Sequence, residues 1–224
     1  MIKKLIMSLL ISSSFLTSAI AGSYQPANFE KIISQTSSNN QFNIQEYQAA
    51  IINIGKYAQN YPTKFDDEAD KKAATQDAFK LLKIAQIIVK EKDNNPHVLQ
   101  LSMQMARLGH NLDIKGAAEM AVDYSQRYIT EHPESAAGYL FLGVFLLDSG
   151  KPQNAQPLLE KALALGDKRA YWSLGMFYLY KGDKENAVKH FKRYQAAVPE
   201  DQTTERILEA IASGKIEFKS EGIK

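Results

Sequence analysis

From Glu46 to Asn60, apolar side chains return at three- and four-residue steps: Tyr47, Ala50, Ile51, Ile54 and Tyr57. That spacing is one face of an amphipathic helix, which should stop before Pro62. Asp66 to Lys92 runs without Gly or Pro, and Phe79, Leu82, Ile84, Ile87 and Ile88 give it a broad apolar face. One long helix or two abutting ones fit, ended by the run from Asp93 to Pro96. Upstream, residues 22–45 are rich in Ser, Asn and Gln and read as a polar linker with a short helix around Phe29 to Ile33. Downstream of Pro199, acids lead, Ile207, Leu208 and Ile211 share a face, and Gly214 follows. This predicts a capping helix over 200–214 and a polar tail over 215–224. No strand-like alternation of useful length occurs.

Between these flanks the pattern repeats. Leu108, Leu142 and Leu174 are each followed by glycine: Gly109, Gly143 and Gly175. Seven residues on stand Gly116, Gly150 and Gly182, and five further Ala121, Ala155 and Ala187. The steps are 34 and then 32 residues. Periods of this size mark stacked helical hairpins, none of which can bury its apolar face alone. A mid-helix glycine costs about 1 kcal/mol relative to alanine. The expected compensation is close approach of the partner helix at Ala121, Ala155 and Ala187. Gly116, Gly150 and Gly182 suit helix ends in the left-handed conformation, with Pro152 and Asp183 starting the next helix. Pro157 should kink its helix unless that helix begins at Asn154.

These letters resemble the tetratricopeptide repeat. The third copy matches best, with Tyr171, Leu174, Gly175, Tyr178, Ala187, Phe191 and Pro199. The second offers Tyr139, Leu142, Gly143, Ala155 and Ala162, with Asp167 in place of the exit proline; it is two residues short there. The first keeps Leu108, Gly109, Ala121, Tyr128 and Pro133 but has Met105 in the aromatic slot. Ala50, Ile54, Tyr57 and Pro62 have the spacing of the second helix of a degenerate earlier repeat. The resemblance implies an all-α fold, a right-handed superhelical array of helical hairpins. Three repeats occupy 102–199, a helical region 46–101 precedes them, and the capping helix follows.

The first 21 residues stand outside this pattern. Lys3 and Lys4 precede an apolar run from Leu5 to Leu16, and Ala19-Ile20-Ala21 closes it with small residues at the right spacing. That is the layout of a signal peptide cleaved after Ala21, with an apolar run short of the roughly 20 residues a membrane span needs. A periplasmic or secreted protein is expected, without a transmembrane segment in the mature chain. Removing residues 1–21 takes two lysines and leaves 25 basic against 25 acidic residues. Net charge therefore gives no reason to expect nucleic acid or an anionic membrane as partner, and no block of five or six like charges suggests a localised patch. The absence of cysteine excludes disulfides, thiolate metal sites and a cysteine nucleophile.

Catalytic and metal motifs are likewise missing. His97, His110, His132 and His190 have no spacing that would place two as ligands on one helix face, and no nucleotide-loop or hydrolase signature occurs. No catalytic residue, metal site or cofactor is predicted, and the chain is not expected to be an enzyme. Asp66, Asp67 and Glu68 read as favourable charge at a helix start. Tyr171, Leu174, Gly175 and Tyr178 form the stripe the repeat needs for its core. Trp172 lies about 100° around the helix, in a second stripe with Met176, Leu179 and Tyr180. Leu140, Val144 and Leu147 correspond in the second repeat, and Ala106, His110 and Asp113 in the first.

The family resemblance implies that this second stripe lines a concave, ligand-binding surface. The candidate partner-binding residues are thus Leu140, Val144, Leu147, Trp172, Met176 and Tyr180. Another helix of the same chain could cover them instead. The expected function is a protein-protein interaction scaffold or assembly factor of the bacterial cell envelope, holding a protein or peptide partner in an apolar groove. Two alternatives stand beside it: an accessory subunit or small enzyme acting on envelope polymers, and a self-associating structural protein, a homo-oligomer.

Overall fold

The computed structural model describes residues 23–35, 40–91 and 95–216. The signal peptide expected at 1–21 and residues 217–224 of the expected polar tail lie outside the described residues. The chain divides into two compact units, one ending at Glu131 and the other beginning at His132. Both are built of helices, so the fold is all-α in the hairpin-repeat manner.

The first unit opens with a strap. The Tyr24 amide donates to an Asp70 carboxylate oxygen (2.8 Å), while the Tyr24 hydroxyl (3.1 Å) and the Ala27 amide (2.7 Å) both donate to Asp77. Asp77 is buried, and these two donors satisfy the charge that burial would otherwise penalise. Helix α1 (Phe29–Ile32) follows, then β1 (Ile33–Gln35) paired antiparallel with β2 (Asn40–Phe42), Ile33 opposite Phe42. This small sheet departs from the helix-only expectation. Its strands are three residues long, too short for alternation to register.

Helix α2 (Ile44–Ala58) starts at Asn43, whose side chain accepts from the amides of Gln45 and Glu46. It buries Tyr47, Ile51 and Ile54 completely. Residues 68–91 form one helix, α3 (Glu68–Glu91). Two members of its expected apolar face are not on it: Phe79 and Ile87 are each 52% exposed, and the buried side carries Ala74, Ala78, Leu81, Leu82 and Ala85. Helix α4 (Pro96–Asn111) begins with Pro96 at the position that needs no amide hydrogen, capped by Asn95. The expected boundary at 102 therefore falls inside α4. Helix α5 (Ala117–Glu131) packs against α4, which also packs on α2 and α3. Among the described residues, a four-residue helix and the β1–β2 pair precede α2.

The second unit is two hairpins and a cap. Helices α6 (Ala136–Asp148) and α7 (Pro152–Ala164) form one hairpin, and α8 (Ala170–Tyr180) and α9 (Lys184–Ala197) the next. Helix α10 (Thr203–Ala212) packs on α9. Three-residue turns close both hairpins, with Gly150 and Gly182 at φ 73° in the left-handed region. In each, the amide two residues beyond the cap returns to the helix, Lys151 to the Leu146 carbonyl (2.8 Å) and Asp183 to that of Tyr178 (2.9 Å). The corresponding turn after α4 differs. There Asp113 (φ 60°) takes the left-handed position and Gly116 stands just before α5, so the equal glycine spacing conceals a longer turn.

Helix α7 begins at Pro152, not Asn154, so Pro157 is interior. It withholds the hydrogen bond that the Gln153 carbonyl would accept. Both residues are exposed.

Close helix approach at the glycines is present, but the neighbour is not the small residue expected. A Cβ on Gly143 would lie 2.7 Å from Leu159 Cδ2, and one on Gly175 would lie 2.7–2.9 Å from three atoms of the Phe191 ring. Leu159 and Phe191 stand one turn beyond Ala155 and Ala187, and all four are fully buried. The alanines let the helices approach, and the large side chain then fills the slot over the glycine.

Candidate functional site

Helices α6 and α8 differ from their partners in a way that defines the site. Every residue of α8 is buried or half-buried, and so is every residue of α6 before Asp148. Helices α7 and α9 keep an exposed polar side. A helix apolar all round is an inner helix. Its sides are occupied by its hairpin partner, by the neighbouring hairpin, and by whatever covers the rest.

The core beneath consists of two clusters. Leu147, Ala155, Leu159, Leu174 and Phe177 form one, and Leu140, Val144, Met176 and Tyr180 pack on it half-buried. Leu179, Ala187, Phe191, Ile211 and Ile216 form the other, with Trp172 and Met176 half-buried against it. Met176 touches both. Each large side chain fully buried here is worth about 1.5–3 kcal/mol.

Five of the six sequence-assigned residues thus form a half-buried apolar strip along α6 and α8. Leu147 is the exception. It is 4% exposed, a core member, and cannot be reached by a partner in this conformation. Trp172 also has a packing role: its ring meets Phe191 (5.1 Å between centroids) and Tyr194 (5.5 Å) edge-on.

Of the four residues expected to form the core stripe of α8, Leu174 and Gly175 are buried and Tyr171 and Tyr178 are half-buried; Ala170, Ser173, Phe177 and Leu179 are buried as well. Phe177, which sequence reasoning passed over, is the fully buried aromatic of the helix. Tyr171 instead carries the Arg193 guanidinium and the Lys168 ammonium, each 5.8 Å from its ring centre.

Electrostatically the strip is quiet. The Tyr180 hydroxyl is raised above its ordinary range, by burial first and by the nearby Asp148 carboxylate second. His190 stacks on Tyr178 at 5.2 Å, and its buried Nδ1 has no hydrogen-bond partner. Burial, then the Arg193 and Lys189 charges, hold its imidazole below the ordinary value. Among the described residues no group of three His, Asp or Glu side chains could hold a metal ion. The arrangement can bind apolar surface.

Inner helices on hairpins, glycine-mediated contacts and a capped end define a helical-repeat scaffold. Residues 168–197 match the tetratricopeptide repeat model, spanning α8 and α9. Two solved structures share the fold. One is a thermophilic tetratricopeptide-repeat protein of Thermus thermophilus, at 18% identity and a TM-score of 0.54, covering 76% of this chain and 92% of that one. The other is MamA, at 22% identity and a TM-score of 0.52, covering 67% and 86%. No curated protein matches the chain. The chain therefore carries a tetratricopeptide repeat at 168–197 within a tetratricopeptide-repeat fold, the fold of protein-protein interaction scaffolds.

Proposed function

We propose that this protein is a non-catalytic scaffold or assembly factor of the bacterial cell envelope, exported and cleaved after Ala21, that holds a protein segment on the strip of α6 and α8. One observation carries the reading: Leu140, Val144, Trp172, Met176 and Tyr180 remain half-buried along two inner helices. Aromatic and methionine side chains are what interface cores favour, and a segment held there would be recognised by apolar contacts, as an inserted helix or extended strand.

Site-specific photo-crosslinking tests it. A crosslinking side chain at Val144 or Met176 should give discrete adducts in expressing cells, whereas one at the exposed Gln153 or Lys192 should give none. Adducts only from the outer positions would overturn the strip, and an adduct of twice the chain's mass would identify self-association. Intact mass of the envelope fraction tests export separately. A species starting at Gly22 is expected, and a retained full-length chain would refute cleavage.

A further inference from the structure

We infer that the solvent side of α3 is a docking face for the anionic surface of a lipid bilayer. Lys72, Phe79, Lys80, Lys83, Ile87 and Lys90 are all exposed. At one residue per about 100° they fall within an arc of about 100°, spread over about 27 Å of helix. The only other exposed side chains between Lys72 and Lys90 are glutamines, Gln76 and Gln86, so the face carries four cations and no acid.

Among the described residues, Ile52, Tyr61, Phe79 and Ile87 are large apolar side chains about half in solvent, and two of these four stand on this arc. They are two turns apart with the cations between and beside them. The Lys83 ammonium lies 5.4 Å from the Phe79 ring centre, and that of Lys80 lies 4.7 Å from the ring of half-buried Phe29.

Charge decides the class of occupant. Three lysines facing one way, Lys72, Lys80 and Lys83, in a chain whose mature charge balances, call for an anionic partner. Shape decides between a bilayer and an acidic protein. The face is the ridge of a single helix, and protein hot spots sit in enclosed pockets from which surrounding contacts exclude water. A lipid interface needs no pocket: apolar tips enter the acyl boundary while lysines reach the headgroups. A groove of about 610 Å³ flanks one end of the face, where Lys90 and Arg127 meet Glu119 and Asp123 and Arg127 also pairs with Glu131 at 2.6 Å. Lys90 is offset there, and Lys72, Lys80 and Lys83 carry the positive field of the face. No helix among the described residues is long and apolar enough to cross a membrane, so the contact is peripheral. It is independent of the strip on α6 and α8.

Vesicle flotation of the exported protein, its N-terminus read by intact mass, tests the assignment. It should float with phosphatidylglycerol-containing vesicles, less so with rising salt, and not with pure phosphatidylcholine vesicles. Lys72→Gln with Lys83→Gln should weaken binding about 25-fold, at about fivefold per lysine. Phe79→Ser with Ile87→Ser should weaken it about tenfold or more. All four side chains are exposed, so thermal melts of the variants should match the parent. Equal binding to both vesicle types, or variants that bind like the parent, overturns the inference. Binding to soluble polyglutamate that ignores the Phe79 and Ile87 changes would make the face a site for acidic polymer and equally overturn it.

Discussion

Alanine at three helical glycines should give opposite outcomes, and the structure says which. Gly55 lies in α2, where a Cβ would make ordinary contact with Gln59 Oε1 at 3.8 Å and Leu108 Cδ1 at 3.9 Å. Gly55→Ala should therefore raise stability by about 0.5–1 kcal/mol, the helix-propensity gain. At Gly175 the same gain is offset by a new methyl placed 2.7–2.9 Å from the Phe191 ring. That ring is fully buried and bounded by Trp172, so it cannot swing into solvent. Overpacking of this kind costs about 1–3 kcal/mol, leaving a net loss of about 0–2 kcal/mol. Gly143→Ala should be at least as harmful, because the Leu159 backbone nitrogen also lies 3.3 Å from the added atom.

Urea midpoints measure all three. Trp172 is the only tryptophan and lies in the second unit, so its fluorescence follows Gly143→Ala and Gly175→Ala. Far-UV circular dichroism follows Gly55→Ala. If Gly175→Ala raises its midpoint as Gly55→Ala does, the close α8–α9 approach is refuted.

Other consequences follow from single side chains. His190 is held below its ordinary 6.5, so the unfolded chain takes the proton at higher pH than the folded chain. Stability is then fully present above 6.5 and drains as pH falls through 6.5 toward the folded value. His190→Phe should flatten that part of the midpoint–pH curve, and an unchanged slope would count against the account. Asp183 caps α9, accepting from the Asn186 amide at 3.0 Å. Asp183→Ala should cost about 0.5–2 kcal/mol in the fluorescence-detected transition, and no loss there would refute the cap. Tyr24→Phe removes one of two donors to buried Asp77 and should cost about 1.5–3 kcal/mol by dichroism; an unshifted midpoint would mean the strap adds nothing.

The repeat was legible because its constraints are local. A glycine that must admit a neighbouring helix, and another at a left-handed helix end, leave fixed letters at fixed spacing. Gly143, Gly150, Gly175 and Gly182 therefore marked α6 to α9 closely. What the letters could not carry was the identity of the packing partner. Leu159 and Phe191 fill the glycine slots, yet on the sequence they are ordinary apolar residues one turn past the conspicuous alanines. The same blindness affected α3. Its apolar positions outnumber what one face can bury, and nothing local distinguishes Leu81 and Leu82, which meet the core, from Phe79 and Ile87, which meet water. Periodicity counts candidates for burial; the neighbours select among them.

The site shows the same limit more sharply. In a helix apolar around its whole circumference, such as α8, hydrophobic periodicity has no phase, so a stripe can be drawn at any rotation. The sequence reading drew it through Tyr171, Leu174, Gly175 and Tyr178, guided by repeat letters; burial keeps Leu174 and Gly175 but replaces the two tyrosines with Ala170 and Phe177. A shift of one residue turns a stripe by about 100°, enough to exchange a core face for a binding face. Trp172 is left between the two roles, packed edge-on against Phe191 and Tyr194 yet only half-buried. Trp172→Ala should accordingly lower stability, by less than the roughly 3–5 kcal/mol of a fully buried ring, so lost binding in that variant would not by itself identify the strip. Val144 and Met176, which make no aromatic contacts of that kind, carry the cleaner test.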